Sequence, residues 1–142
     1  VVAADHARFF LPETGLGIIP DAGAIRLPRM LPHAIANEVL YGGRRLDASE
    51  AERWGLVNQV VAAADLEDAA MELASRIASA APLAVEAVMA IDRATRHLSL
   101  GEAFGHLRSG DLEAYERMLV SEDAKEGPRA FAEKRDPYWQ GA

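Results

Sequence analysis

The chain contains no cysteine, which excludes a disulfide framework, a thiolate nucleophile and any zinc site built on sulfur. Only four histidines are present, and the spacing of His6, His33, His97 and His106 matches no metal-ligand motif, so no metal is expected. Carboxylates are left as the main groups for chemistry. No apolar run approaches the roughly 20 residues that a membrane span needs. The opening Val1-Val2-Ala3-Ala4-Asp5-His6 has neither the basic start nor the apolar stretch of a secretory signal. The expectation is a cytoplasmic protein that engages no membrane. A basic excess is missing too: the net charge of −7 argues against a nucleic-acid surface, although a basic cluster near the C-terminus leaves room for a phosphate. Internal repeats and low-complexity segments are absent. What is present is a chain of 142 residues, half of them hydrophobic and about a quarter charged, a composition expected of one composite globular domain.

Residues 1–20 are rich in β-formers. Val1-Val2 and Arg8-Phe9-Phe10-Leu11 read as two short strands, a strand pair separated by Asp5-His6-Ala7. A buried strand normally has a neighbour on both sides, so a preceding segment is expected. From Asp21 the pattern turns helical, with Pro28 and Pro32 expected to split it. The stretch from Pro32 to Leu40 reads as a short helix with Pro in its first turn and Gly42-Gly43 as its stop. Asp47-Ala48-Ser49-Glu50 carries an N-cap with a carboxylate three positions on, ahead of a helix ending at Gly55 and a strand over 56–61. Beyond Asp65 the chain reads as all helix: about 66–80, 83–97, 100–120 and 121–135. Met71, Leu73, Ala74, Ile77 and Ala78, then Val85, Val88, Met89 and Ile91, mark expected buried faces. Pro82 and Pro137 punctuate helix ends.

Two stretches carry candidate chemistry. Residues 9–23 end a strand and open a helix through a loop with three glycines, where backbone can approach a ligand and a helix N-terminus offers unpaired N–H groups. Glu13 is the only ionisable group between Arg8 and Asp21, set among Leu11, Leu16, Ile18 and Ile19, an environment suited to proton transfer; the alternative is a loop glutamate facing water. The glycines match neither the dinucleotide fingerprint nor the P-loop. Near the C-terminus, Phe131 and Lys134 stand three apart and would share a helix face, so that a ring and an ammonium could meet a base and a phosphate; the alternative is a solvated charged helix whose Phe131 fills a groove.

Taken together, Pro12-Glu13, Gly17-Ile18-Ile19-Pro20-Asp21-Ala22-Gly23, Arg26-Leu27-Pro28-Arg29, the turn at 42–46, the helix opening at Ala48, Gly55-Leu56-Val57-Asn58, Glu126-Gly127 and the closing 131–135 resemble, in order, the crotonase superfamily, the enoyl-CoA hydratase/isomerase group. The resemblance covers nearly every residue. It implies an α/β crotonase (ClpP/crotonase-like) fold, with residues 1–64 as the C-terminal part of the ββα spiral core and 65–142 as a helical trimerisation region. It implies hydration or dehydration of an α,β-unsaturated or 3-hydroxy acyl-CoA, with Δ3-Δ2-enoyl-CoA isomerisation or a non-catalytic acyl-CoA-binding or oligomerisation module as alternatives. Residues 53–58 and 121–137 look most like the branch acting on carnitinyl-CoA and crotonobetainyl-CoA. By this resemblance Glu13 is one of two proton-handling glutamates, Asp21 (otherwise an N-cap) and Gly23 lie beside the acyl group, and Phe131 and Lys134 reach the CoA of a neighbouring subunit. No cofactor is implied beyond coenzyme A as part of the substrate, and the implied assembly is a homotrimer or a hexamer built as a dimer of trimers. The family usually writes Gly-Gly where this chain has Gly23-Ala24, implying a more crowded helix start. Family members run to about twice this length, with the oxyanion-hole donors and the second glutamate in the half that this chain does not match.

Overall fold

Strand β1 (Val2–Ala4) is followed at once by β2 (Arg8–Phe9), yet the two do not pair. In the computed structural model, which describes residues 1–142, β1 runs parallel to β4 (Gln59–Val61), in register Val2 to Gln59 through Ala4 to Val61. Strand β2 instead runs antiparallel to β3 (Leu46–Asp47), with Phe9 opposite Leu46. The expected pair at the N-terminus is therefore corrected: Ala7 donates its N–H to the Ala4 carbonyl, a tight turn that sends the chain from one ladder to another. Such pairing depends on distant partners rather than on local composition.

Helix α1 spans Asp21–Met30 and contains Pro28, so the expected break there does not occur. Pro28 removes one i→i−4 bond, but only Arg29 and Met30 follow it, so little helix is left to disrupt. Pro32 does act as expected. Leu31 before it is extended, and Pro32 stands as N-cap to α2 (His33–Gly42) rather than inside its first turn. Gly43, at φ +64°, closes α2 in the left-handed conformation that favours glycine. Asp47 caps α3 (Ala48–Arg53) through a reciprocal capping box: its side chain accepts from the Glu50 N–H at 2.8 Å and Glu50 accepts from the Asp47 N–H at 3.2 Å.

The chain divides into two compact units, Val1–Glu72 and Leu73–Ala142. The core of the first is Leu31, Ile35, Ala36, Val39 and Leu46, with Phe9, Leu11, Leu27, Trp54 and Leu56 packed against it. A smaller cluster of Ala3, Ala51 and Val57 sits behind β1. Each fully buried aliphatic side chain contributes about 1.5–3 kcal/mol, so Leu46, whose partners come from β2, α1 and α2, ties the unit together.

Helix α4 (Leu66–Ala78) leads into the second unit, where α5 (Pro82–Thr95), α6 (Leu100–Leu107), α7 (Glu113–Val120) and α8 (Glu122–Glu133) follow. Pro82 opens α5 in its first turn. The expected single helix over 100–120 is two helices, because Gly110 adopts φ +81° between them. Of the faces expected to be buried, Leu73, Val85 and Ile91 are half-buried, but Met71, Ala74, Ile77, Ala78, Val88 and Met89 are exposed. Periodicity locates an apolar stripe without saying what covers it. No single helix is long and apolar enough to cross a membrane.

Candidate functional site

Glu13 opens a four-residue 3-10 turn, Glu13–Leu16, between β2 and α1. Two features hold that turn in place. Thr14 donates its hydroxyl to the Leu40 carbonyl of α2 at 2.9 Å, and Gly17, at φ +78°, folds the chain back so that the Ile18 N–H reaches the Glu13 carbonyl at 3.1 Å. The Glu13 side chain is half-buried, and its Oε2 is buried without a hydrogen-bond partner. Leaving a buried carboxylate oxygen unpaired costs free energy, and such groups concentrate where a ligand or a reacting proton is to be met. Around it, Leu16, Ile18 and Ile19 are exposed. The reading of Glu13 as a loop glutamate facing water does not hold for Oε2: this is a carboxylate with a tied-down backbone and one buried, unused oxygen, an arrangement able to take and return a proton.

Asp21 is the first residue of α1 and is exposed; Pro20 is the N-cap, and no side-chain cap bond forms, so the N-cap alternative for Asp21 is overturned. Gly23 sits where α1 lies against the chain after β2: a methyl group placed there would stand 2.7 Å from Leu11 Cδ1 and 3.2 Å from Pro20 Cβ. Gly23 thus lets α1 approach the Leu11 side chain, two residues past β2, and it lines a cavity of about 390 Å³ with Phe9, Phe10, Leu11, Met30 and Arg26. Ala24 faces a different cavity of about 430 Å³, beside Thr14, Ile19 and Tyr41. Glu13 lines neither of these two.

Phe131 and Lys134 lie in the second unit. Phe131 is 88% exposed, which overturns the alternative that it fills a groove. Lys134 lies past the end of α8 with φ +54°, so the two do not share a helix face as their spacing suggested. Its N–H bonds the Phe131 carbonyl at 3.2 Å and the next N–H, of Arg135, bonds the Ala130 carbonyl at 3.1 Å, a Schellman end in which Lys134 occupies the position glycine usually takes. A side chain there costs about 1–2 kcal/mol, a strain that persists only where the surroundings enforce it.

The residue after this turn, Arg135, bonds Glu126. The Glu126 side chain is 7% exposed and accepts from Arg135 Nη1 at 2.6 Å and Nη2 at 3.0 Å, from Arg129 Nη2 at 2.5 Å, and from the Tyr138 N–H at 2.9 Å. The Arg135 guanidinium, then the Tyr138 N–H and Arg129, hold the Glu126 carboxyl far below the usual carboxylate range, and Arg135 is raised in return. Buried Asp123 accepts from the Gln140 and Gly141 N–H groups at 2.7 and 3.0 Å, and Trp139 donates to the Ser79 carbonyl while its ring rests against Gly127. The tail after α8 is strapped down at four points. Sequence reasoning noted Glu126-Gly127 only as a motif and did not foresee this network or the Thr14 anchor. The available signal was a glutamate and an arginine three apart, Glu126 and Arg129, ahead of a second arginine at the helix end.

Residues 1–142 match the family model described as enoyl-CoA hydratase/isomerase from end to end. The chain belongs to that family. It is similar to carnitinyl-CoA dehydratases of Proteus mirabilis and Citrobacter koseri, at 56% and 54% identity, with 99% of this chain and 54% of each relative covered. Among solved structures it resembles the enoyl-CoA hydratase from Bacillus anthracis at 39% identity and a TM-score of 0.89, covering 99% of this chain and 54% of that one. It also resembles the enoyl-CoA hydratase from Mycobacterium tuberculosis at 37% identity and a TM-score of 0.87, covering 99% and 55%. The expected crotonase fold and the likeness to the carnitinyl-CoA branch are both upheld, and the mostly helical chain with its few strands corresponds to the C-terminal part of that fold. The chain spans about half the length of the curated relatives it matches.

Proposed function

We propose that the protein carrying this chain hydrates and dehydrates acyl-CoA thioesters, with carnitinyl-CoA and crotonobetainyl-CoA as the pair to test first. The observation that carries the reading is Glu13, a half-buried carboxylate with one buried oxygen that no protein group uses. In hydration one water supplies both the hydroxyl that joins the β-carbon and the proton that joins the α-carbon as the double bond is consumed; Glu13 exchanges a proton with the α-carbon or the water and ends each turnover in the state in which it began. Charge developing on the thioester oxygen needs backbone donors, each worth roughly 3–4 kcal/mol of barrier. In this reading those donors and a second glutamate lie in the half of the relatives that the chain does not match. Asp21 and Gly23 border the acyl group, and Phe131 and Lys134 meet the adenine and phosphates of CoA held by a neighbouring subunit.

Residues 65–142 serve as the assembly region of a homotrimer or a dimer of trimers, supported by exposed Val88, Met89, Phe104 and Val120, which light scattering of the intact protein checks. No cofactor enters beyond the CoA of the substrate, and the location in this reading is cytoplasmic. The rival chemistry is Δ3-Δ2 isomerisation, favoured by the single glutamate in the loop of this chain, since one carboxylate suffices to move a proton between carbons. Assaying the intact protein with crotonobetainyl-CoA, crotonyl-CoA and a 3-enoyl-CoA separates the two. Turnover of the 3-enoyl substrate alone overturns hydration, and inactivity of the intact protein on all three with CoA binding retained supports a non-catalytic module.

A further inference from the structure

We propose that Glu126 is a positioning residue for the CoA-binding pair: through Arg135 it locks the left-handed turn that aims the Lys134 ammonium and leaves the Phe131 ring free to stack. This rests on the reading above of Phe131 and Lys134 as CoA contacts, and extends it to a residue that touches no substrate. Three observations converge. Lys134 occupies a backbone conformation that lysine avoids, so some neighbour must hold it. The residue directly after it, Arg135, is gripped in a two-pronged bond by a buried carboxylate about two turns back from the end of α8, which fixes the direction in which the chain leaves Lys134. The same carboxylate takes the Tyr138 N–H, so the path beyond the turn is fixed as well.

The geometry also separates the clamp from the ligand-facing group. Glu126 and Phe131 are five residues apart, about 140° around the helix, so the carboxylate can be buried against the tail while the ring at 88% exposure points elsewhere. Asp123 and Trp139 pin the tail further along, and do so without touching the turn. Arg135 Nε also meets Glu133 Oε2 at 2.6 Å, within the last turn itself, so Glu126 is the anchor that ties the turn to the body of α8.

The test is steady-state kinetics of the intact protein with an acyl-CoA and with the matching acyl-pantetheine, which lacks the adenine nucleotide. Glu126→Gln is expected to raise KM for the acyl-CoA about tenfold with kcat within about twofold, and to leave KM for the acyl-pantetheine unchanged. Arg135→Lys keeps the charge but loses the fork, and is expected to give the same selective rise at about threefold even if Glu126→Gln fails to fold. In the Glu126→Gln/Lys134→Ala double variant, KM for the acyl-CoA should rise no further than in Lys134→Ala alone. Equal losses on both substrates, or additive losses in the double variant, overturn the positioning role. A raised KM in Lys134→Ala without any change in Arg135→Lys or Glu126→Gln overturns it alone. An unchanged KM in Lys134→Ala overturns the CoA-contact reading, and this proposal with it.

Discussion

Glu13 and Glu126 both have shielded carboxylate oxygens, and they differ in one respect that decides their use. Every oxygen of Glu126 is satisfied, by two arginines and a backbone N–H, and the carboxylate is committed to its ionised form. Glu13 has a fixed backbone and a buried oxygen with no partner. The first arrangement spends its hydrogen bonds on holding structure and has none left for a substrate. The second retains a capacity that costs stability and becomes useful when a proton or a water arrives. Shielding alone does not separate a structural carboxylate from a chemical one; the count of satisfied oxygens does.

The largest test of that contrast is Glu13→Gln in the intact protein. Turnover is expected to fall about 10²- to 10⁴-fold with CoA binding retained, while stability stays level or rises, because a neutral amide is less costly to leave unpaired there. Stopped or steady-state kinetics together with urea unfolding check both halves. A marked loss of stability would erase the distinction from Glu126. Next in size is Gly23→Ala, which brings a methyl group to within 2.7 Å of Leu11 Cδ1. We expect a loss of only about 1 kcal/mol in urea unfolding, since the clash is with the end of a flexible side chain that can shift.

Acid unfolding addresses the other glutamate. The folded-state pKa of Glu126 lies well below its unfolded value of about 4.3, so its contribution is fully present above that value and is lost as pH falls below it. Glu50, lowered by Arg44 and then by the Asp47 N–H, adds in the same direction. Unfolding midpoints followed from pH 6 to pH 2 should fall with acid, and Glu126→Gln should flatten that fall. The smallest effect is Lys134→Gly. Relief of the left-handed conformation exceeds the entropic cost of glycine, so a gain of about 0.5–1 kcal/mol is expected alongside weaker acyl-CoA binding. A loss of stability would show that the turn is not strained.

Much of the frame was legible from residues alone. Asp47 with Glu50, Gly43 and Gly55 at helix ends and Pro82 at a helix start all act as their local chemistry dictates. Pro28 misled because its position near the end of α1 mattered more than its identity. The break at Gly110 went unforeseen because the apolar spacing continues across it in a helical period. At the site, Glu13 was legible as a candidate through the ordered motifs of the family, whereas the Thr14 anchor involves Leu40, 26 residues away, and the orphaned oxygen of Glu13 is fixed only when the chain folds.

By itself the sequence determined what short-range chemistry controls: caps, turns, helix period and the order of motifs that marks the family, since each depends on residues within about one turn or on a fixed string. Only the tertiary structure decided which strands pair, which apolar stripes find cover, and which glutamate has its oxygens filled. Those outcomes depend on groups far apart in the chain. The pairing of β1 with β4 rather than β2, and the grip of Glu126 on Arg135 and the tail, are settled by burial and hydrogen bonding among groups that no local pattern brings together.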